Sequence, residues 1–182
     1  MNLIAMLLVL LASTSSCEWC GASEAPAKAG WTTTIAGPKE PGERLVVSGT
    51  ITRAGKPVKD VVMYLYHTNE KGIYPKRGDE TGNGRRHGYL RGWIRTDASG
   101  RYRFDTIRPA AYPGRRDPQH IHAVVKEPGR DEYSIDAYLF ADDPLLTREE
   151  RAKLDDRGGS GILKVARDAK GVWQGRRDIT LP

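Results

Sequence analysis

Two of the chain's four histidines, His120 and His122, stand two residues apart in the segment PQHIHAVV, at the head of an apolar run. On a strand, side chains i and i+2 leave the same face roughly 6.5–7 Å apart. Two imidazoles at that spacing can converge on one metal ion. Alone, an H-x-H pair is more often two packed or solvated histidines. Its neighbours shift that balance. Tyr112 lies eight residues before His120 on the segment that enters the strand, and Tyr74 lies in the stretch GIYP of a long loop. Either tyrosine alone reads first as an aromatic packing against a loop.

The elements that must position these side chains read as β. Twenty glycines and eleven prolines in 182 residues favour a loop-rich, mostly β chain over a helical bundle. Short runs of strand character appear at residues 44–52, 58–68, 89–96, 101–109, 119–127, 134–142, 162–168 and 172–181, separated by turn residues. In the run 58–68, Val61, Met63 and Leu65 oppose Val62, Tyr64 and Tyr66, so both faces are apolar, as in a central strand. The runs 89–96 and 101–109, joined by the turn Asp97-Ala98-Ser99-Gly100, read as a hairpin, as do the last two. Thr147-x-x-Glu150 makes a capping box for one short helix over residues 148–154. The expectation is all-β: a sandwich of about eight short strands with one short helix and long loops. Residues 69–89 form the longest loop, glycine-rich and without periodicity, a kind usually kept for function.

Taken in order, these segments resemble the intradiol ring-cleavage dioxygenases, the family of catechol 1,2-dioxygenase and protocatechuate 3,4-dioxygenase. The resemblance rests on VVMYLYHTNEKGIY (61–74), LRGWIRTDASGRYRFDTIRPAAYPG (90–114) and PQHIH (118–122), and runs from about residue 43 to 145. It implies a non-haem Fe(III) centre held by Tyr74, Tyr112, His120 and His122. The donor types suit that ion. Hard Fe(III) favours anionic phenolate oxygen, and its charge lets a phenol with an ordinary pKa of about 10 ionise near neutrality. The implied reaction opens the ring of a catechol-type diol with O2 to a cis,cis-muconate-type diacid, Tyr112 serving as the ligand that also takes a substrate proton.

This chain departs from the family in two places. An arginine expected three residues before the first histidine is Asp117, which leaves Arg115 or Arg116 to supply positive charge. The glutamine of the following strand falls near Asp136 or Ala137. Arg91 falls in the family's LRG turn and is either a pocket residue or a solvated one. Arg85, Arg86 and His87 read as a mobile basic loop, and His67 as structural.

The remaining readings concern partners and location. A net charge of +6, with arginines scattered through turns and strands, argues a solvated basic surface and against nucleic acid. Residues 1–16 read as a signal peptide, their apolar stretch being too short to span a bilayer. They imply export to the periplasm, cell envelope or exterior. Cys17 and Cys20 have no thioredoxin-like context, so they read as a lipid anchor at Cys17 or a small local disulfide. Residues 17–42 read as a linker or draped arm, and 43–182 as the dioxygenase-like domain. Two other classes of function stay open: a non-catalytic transthyretin-like sandwich, and a metal-binding homologue without turnover. The first has no need of both tyrosines beside H-x-H.

Overall fold

A computed structural model describes residues 20–182. The segment read as a signal peptide and Cys17 lie outside the described residues. No helix among them is long and apolar enough to cross a membrane.

Twelve strands form two sheets. The first contains β1 (Thr32–Thr34), β2 (Arg44–Arg53), β3 (Lys56–Pro57), β6 (Arg101–Ile107), β10 (Val165–Arg167), β11 (Trp173–Arg176) and β12 (Ile179–Thr180). The second runs in the order β5 (Arg91–Arg95), β4 (Val62–Tyr66), β7 (His120–Lys126), β8 (Tyr133–Phe140) and β9 (Ile162–Leu163). Two short α-helices, α1 (Gly84–His87) and α2 (Arg148–Arg151), and one 3-10 turn at Ala22–Glu24 complete the elements. The Thr147 hydroxyl accepts from the Glu150 backbone N–H at 3.3 Å, which is the N-cap half of the expected box. The Thr147 N–H donates to the Leu145 carbonyl instead of to Glu150, and the helix is shorter than the expected 148–154.

The alternation in β4 decides what the second sheet does. Val61, Met63 and Leu65 enter the inter-sheet core with Ile94, Phe104 and Tyr138, all essentially without exposure. Each such side chain contributes about 1.5–3 kcal/mol. Val62, Tyr64 and Tyr66 face outward, where a second apolar cluster with Cys20, Ala22 and Val124 covers them. The outer face is therefore buried too, and the site is built on it.

Three expectations change in detail. The runs 89–96 and 101–109 do not form a hairpin: β5 and β6 lie in different sheets, and the turn between them carries the chain across the sandwich. Alternation and a four-residue turn look the same in either case, so the sheet assignment is set by the core packing of Ile94 and Phe104. The last two runs each divide, β9 pairing parallel with β8 while β10 pairs antiparallel with β11. The segment read as linker or arm is an arm packed on the sheet. β1 pairs parallel with β6, Trp93 Nε1–H donates to the Gly21 carbonyl at 2.7 Å, and Glu132 accepts from the Ala22 N–H at 2.6 Å. Cys20 is disulfide-bonded.

Candidate metal centre and active site

His120 and His122 come from β7, whose period of two puts both rings on the outer face. Register then adds the neighbours. Tyr66 lies directly opposite His122 in the antiparallel β4–β7 pair. On the other side, Ile121 faces Tyr138 while Ala123 faces Ile135, so three steps along β8 answer two along β7. This bulge at Asp136–Ala137 sits beside His122, the kind of irregularity that re-aims a side chain at a site.

The segment before His120 is pinned. The Asp143 carboxylate accepts from the Gln119 and Leu145 N–H groups at 2.6 and 2.9 Å. Arg108 holds Gln119 Oε1 at 2.9 Å and grips Asp142 with two 2.8 Å bonds. The His120 ring is oriented as well: Nδ1 lies 2.6 Å from the Pro118 carbonyl. A carbonyl can only accept, so Nδ1 carries the proton and Nε2 presents a lone pair to the site.

The two tyrosines arrive on loops that press on each other. Asn69 Oδ1 accepts from the Lys71 and Ile73 N–H groups at 3.0 and 3.1 Å, curling the chain toward Tyr74. Gly72 has φ +75°, and a Cβ there would lie 2.0 Å from the Ala111 carbonyl oxygen. Only glycine lets the Tyr74 loop lie this close to the Tyr112 loop. Thr68 Oγ1–H donates to the Ala110 carbonyl at 2.7 Å, and the Ala110 N–H donates to the Asn69 carbonyl at 3.1 Å, closing the contact.

The result is a convergence of four donor atoms. Tyr74 Oη and Tyr112 Oη are 2.5 Å apart, Tyr112 Oη is 3.2 Å from His120 Nε2 and 3.3 Å from His122 Nε2, and the two Nε2 atoms are 3.0 Å apart. Around an ion with bonds of about 2.0–2.1 Å, adjacent donors lie about 2.9–3.4 Å apart. The three contacts that involve a histidine match those edges, so Tyr112, His120 and His122 fit one metal ion, with the Tyr74 hydroxyl beside them against Tyr112. No group of three or more histidine, cysteine, aspartate or glutamate side chains able to hold a metal occurs among the described residues. The centre therefore depends on its phenols.

Burial sets the protonation states. It holds the His120 imidazole below its ordinary value, and His122 well below, the latter helped by the other histidines nearby. Both rings are neutral, as ligands must be. Burial also pushes both phenols up; the bond to Tyr112 adds to this at Tyr74, and Asp117 adds to it at Tyr112. Without a strong local cation these phenols keep their protons, and an ion of high charge reverses that preference.

Beside the donors opens a cleft of about 390 Å³, lined by Tyr66, Tyr74, Tyr112, Arg115, His122 and the apolar Val124, Ile135 and Ala137. A second hollow of about 410 Å³ lies at Ala22, Asp60, Lys126 and Glu127, away from the phenols and without their chemistry. Arg115 reaches the functional cleft, 5.5 Å from the Tyr112 ring centre, and pairs with Asp117 at 3.4 Å. Asp117 thus acts on the site through Arg115. Arg116 is exposed and does not line the cleft. Arg91 donates to the Gly88 carbonyl at 2.6 Å and lines a different hollow.

His87 departs from its reading as part of a mobile loop. It is buried, its Nδ1 2.8 Å from the Tyr64 hydroxyl, and its ring stacks on Tyr66 at 3.7 Å and 4°. Glycine-rich surroundings concealed α1, whose four residues carry His87 inward. His67 is structural, as expected: its Nδ1–H donates to the Thr68 carbonyl at 2.8 Å and its Nε2 meets Thr106 Oγ1 at 2.6 Å. Tyr66, read only as a strand residue, lines the cleft; its place opposite the second histidine was the signal available.

Comparison with known proteins agrees with this geometry. The family model described as Dioxygenase matches residues 19–153. The protocatechuate 3,4-dioxygenase beta chain of Burkholderia cepacia is 35% identical over 112 residues, covering 58% of this chain and 48% of that protein. Catechol 1,2-dioxygenase 1 of Acinetobacter lwoffii is 41% identical over 150 residues, covering 69% and 48%. The chain spans about half the length of the curated relatives it matches. Among solved structures, the dioxygenase domain of a dioxygenase carbohydrate-binding protein fusion from Streptomyces sp. SirexAA-E superposes with a TM-score of 0.64 at 28% identity, covering 86% of this chain and 90% of that one. Catechol 1,2-dioxygenase from Acinetobacter sp. ADP1 shares the fold at a TM-score of 0.64 and 23% identity, over 84% and 57%. With the family model spanning most of the chain, and with the two-tyrosine, two-histidine cluster in place, the protein belongs to the intradiol ring-cleavage dioxygenases, a family that uses non-haem iron.

Proposed function

We propose that this protein is an Fe(III) intradiol dioxygenase that opens a catechol-type ring between its two hydroxyl-bearing carbons. The observation that carries the reading is the meeting of Tyr74, Tyr112, His120 and His122 at donor–donor separations of 2.5–3.3 Å. A scaffold or binding module has no use for that arrangement.

Tyr74, Tyr112, His120 and His122 would hold the metal. When bound, ferric iron would supply a Lewis acid that a diol could chelate through both oxygens, drawing electron density from the ring and making it reactive toward O2. Tyr112 Oη takes a diol proton: it touches three of the other donors' atoms and sits on the loop rather than on the sheet. Val124, Ile135 and Ala137 give the ring an apolar wall and exclude water from its face. Arg115 places a cation at the mouth, where negative charge gathers as the diol ionises. Both atoms of O2 end in the two carboxylates of a cis,cis-muconate-type product, so no further reductant is required. The apolar run at residues 3–12 supports an exported enzyme.

The test is reconstitution with ferric iron. The holoprotein should take on the visible colour of tyrosinate-to-iron charge transfer, shift that colour on anaerobic addition of catechol, and consume O2 with diacid formation when air is admitted. A colourless protein would sink the assignment. Colour and a catechol shift without O2 uptake would reduce it to metal and ligand binding.

A further inference from the structure

We propose that Tyr66 is a substrate-contacting residue whose hydroxyl donates a hydrogen bond to an oxygen of the bound aromatic diol. The proposal rests on the reading of the site as a diol-binding iron centre.

Tyr64 and Tyr66 leave the same face of β4, both almost without exposure, and their hydroxyls meet different fates. That of Tyr64 is used inside the protein, 2.8 Å from His87 Nδ1. That of Tyr66 has no hydrogen-bond partner among the described residues, and the residue lines the cleft beside Tyr74, Tyr112 and His122. The oxygen is open to the cleft rather than sealed in the core, so it is a donor available to a ligand oxygen.

Position makes this donor useful. The Tyr66 ring stacks on His87 at 3.7 Å and 4°, and on His122 at 4.5 Å and 14°. Two rings cannot share one face at those separations, so Tyr66 is clamped between them. Its oxygen cannot swing away, and the residue lines the cleft together with His122 and both phenols. The other polar groups of the cleft are less suited. Arg115 is paired with Asp117, and Ser134 stands on the neighbouring strand β8. A fixed, neutral donor beside a ligand that becomes anionic strengthens binding as that charge develops.

Tyr66→Phe removes one oxygen and leaves both ring stacks, so the fold and the iron site should survive; the urea midpoint of the variant checks the first. With iron-loaded protein, anaerobic titration with catechol, followed by the shift of the charge-transfer band, should show affinity weakened about tenfold or more, with iron content and resting colour unchanged. Equal affinity in the two proteins would overturn the role of Tyr66 while leaving the iron centre standing. Loss of iron or of resting colour in the variant would also overturn it, making Tyr66 a packing element for His122. If the unmodified protein took up iron but bound no catechol, the reading of the function would fall, and this proposal with it.

Discussion

The centre has a strand half and a loop half, and they are built differently. His120 and His122 stand on β7, inside a sheet whose inner face is core. Their separation is fixed by the pleat, and their ring directions by the Pro118 carbonyl and the Tyr66 stack. Tyr74 and Tyr112 stand on loops, and what brings their hydroxyls together is the contact of one loop on the other at Gly72 and Ala111. The lesson is that the nitrogens are placed by the fold as a whole, whereas the oxygens are placed by a local fit that one methyl group would spoil.

Removing an oxygen should have the largest effect. Tyr74→Phe and Tyr112→Phe should each weaken ferric iron binding by more than about a hundredfold, since even groups that merely support metal ligands cost about 10–100-fold when removed. Iron content after dialysis and the visible band measure this. A variant that kept both would show that the oxygens are not ligands. Gly72→Ala separates the halves more sharply. It touches no donor, yet its Cβ meets the Ala111 carbonyl and its φ is +75°, a region that costs a non-glycine residue about 1–2 kcal/mol. Iron affinity should fall at least tenfold, while the far-ultraviolet β signal of the iron-free protein persists. Loss of the β signal would mean that the loops support the sandwich and not only the site.

The same division governs what could be read in advance. His120 and His122 were legible because a period of two guarantees a shared face wherever the strand lies. β4 was legible as a central strand because Val61 to Tyr66 is apolar on both sides. Tyr74 and Tyr112 announced themselves only through the string of motifs, since loop geometry has no period to extrapolate. Tyr66 and His87 were hidden for a related reason. Their roles arise from pairing across strands and from α1 turning inward, and neither leaves a local pattern. The crossing between β5 and β6 was misread because a turn does not record which sheet its second strand joins.

His67 marks the place where the strand half passes into the loop half, and it offers a test by pH. Burial lowers its pKa to about 4 from an ordinary 6.5. The neutral ring is fully used, donating to Thr68 and meeting Thr106 of the other sheet. Above pH 6.5 neither state takes a proton, and the stabilisation is complete. As pH falls from 6.5 toward 4, the unfolded chain protonates first and the folded state loses about 3 kcal/mol. In iron-free protein, the urea midpoint should decline over that window, and His67→Gln should be less stable at pH 7 but show a shallower decline. Parallel curves for the two proteins would assign the acid sensitivity to other groups.

The smallest effect is expected at Asp117, at the outer edge of the loop half. Its pair with Arg115 is exposed, 67% and 49% for the two side chains, so its contribution to stability is under about 1 kcal/mol. Its consequence for the cleft is larger than its consequence for the fold. The carboxylate holds back the cation that lines the mouth, and it also pushes the Tyr112 phenol up, against ionisation. Asp117→Asn removes both effects at once: Arg115 is freed to face an anionic ligand, and Tyr112 loses its proton more readily. The urea midpoint should stay where it is, while catechol affinity in the anaerobic titration should rise a few-fold. Weaker binding would show instead that Asp117 holds Arg115 in its working position. The loop half would then prove to be as firmly built as the strands it faces.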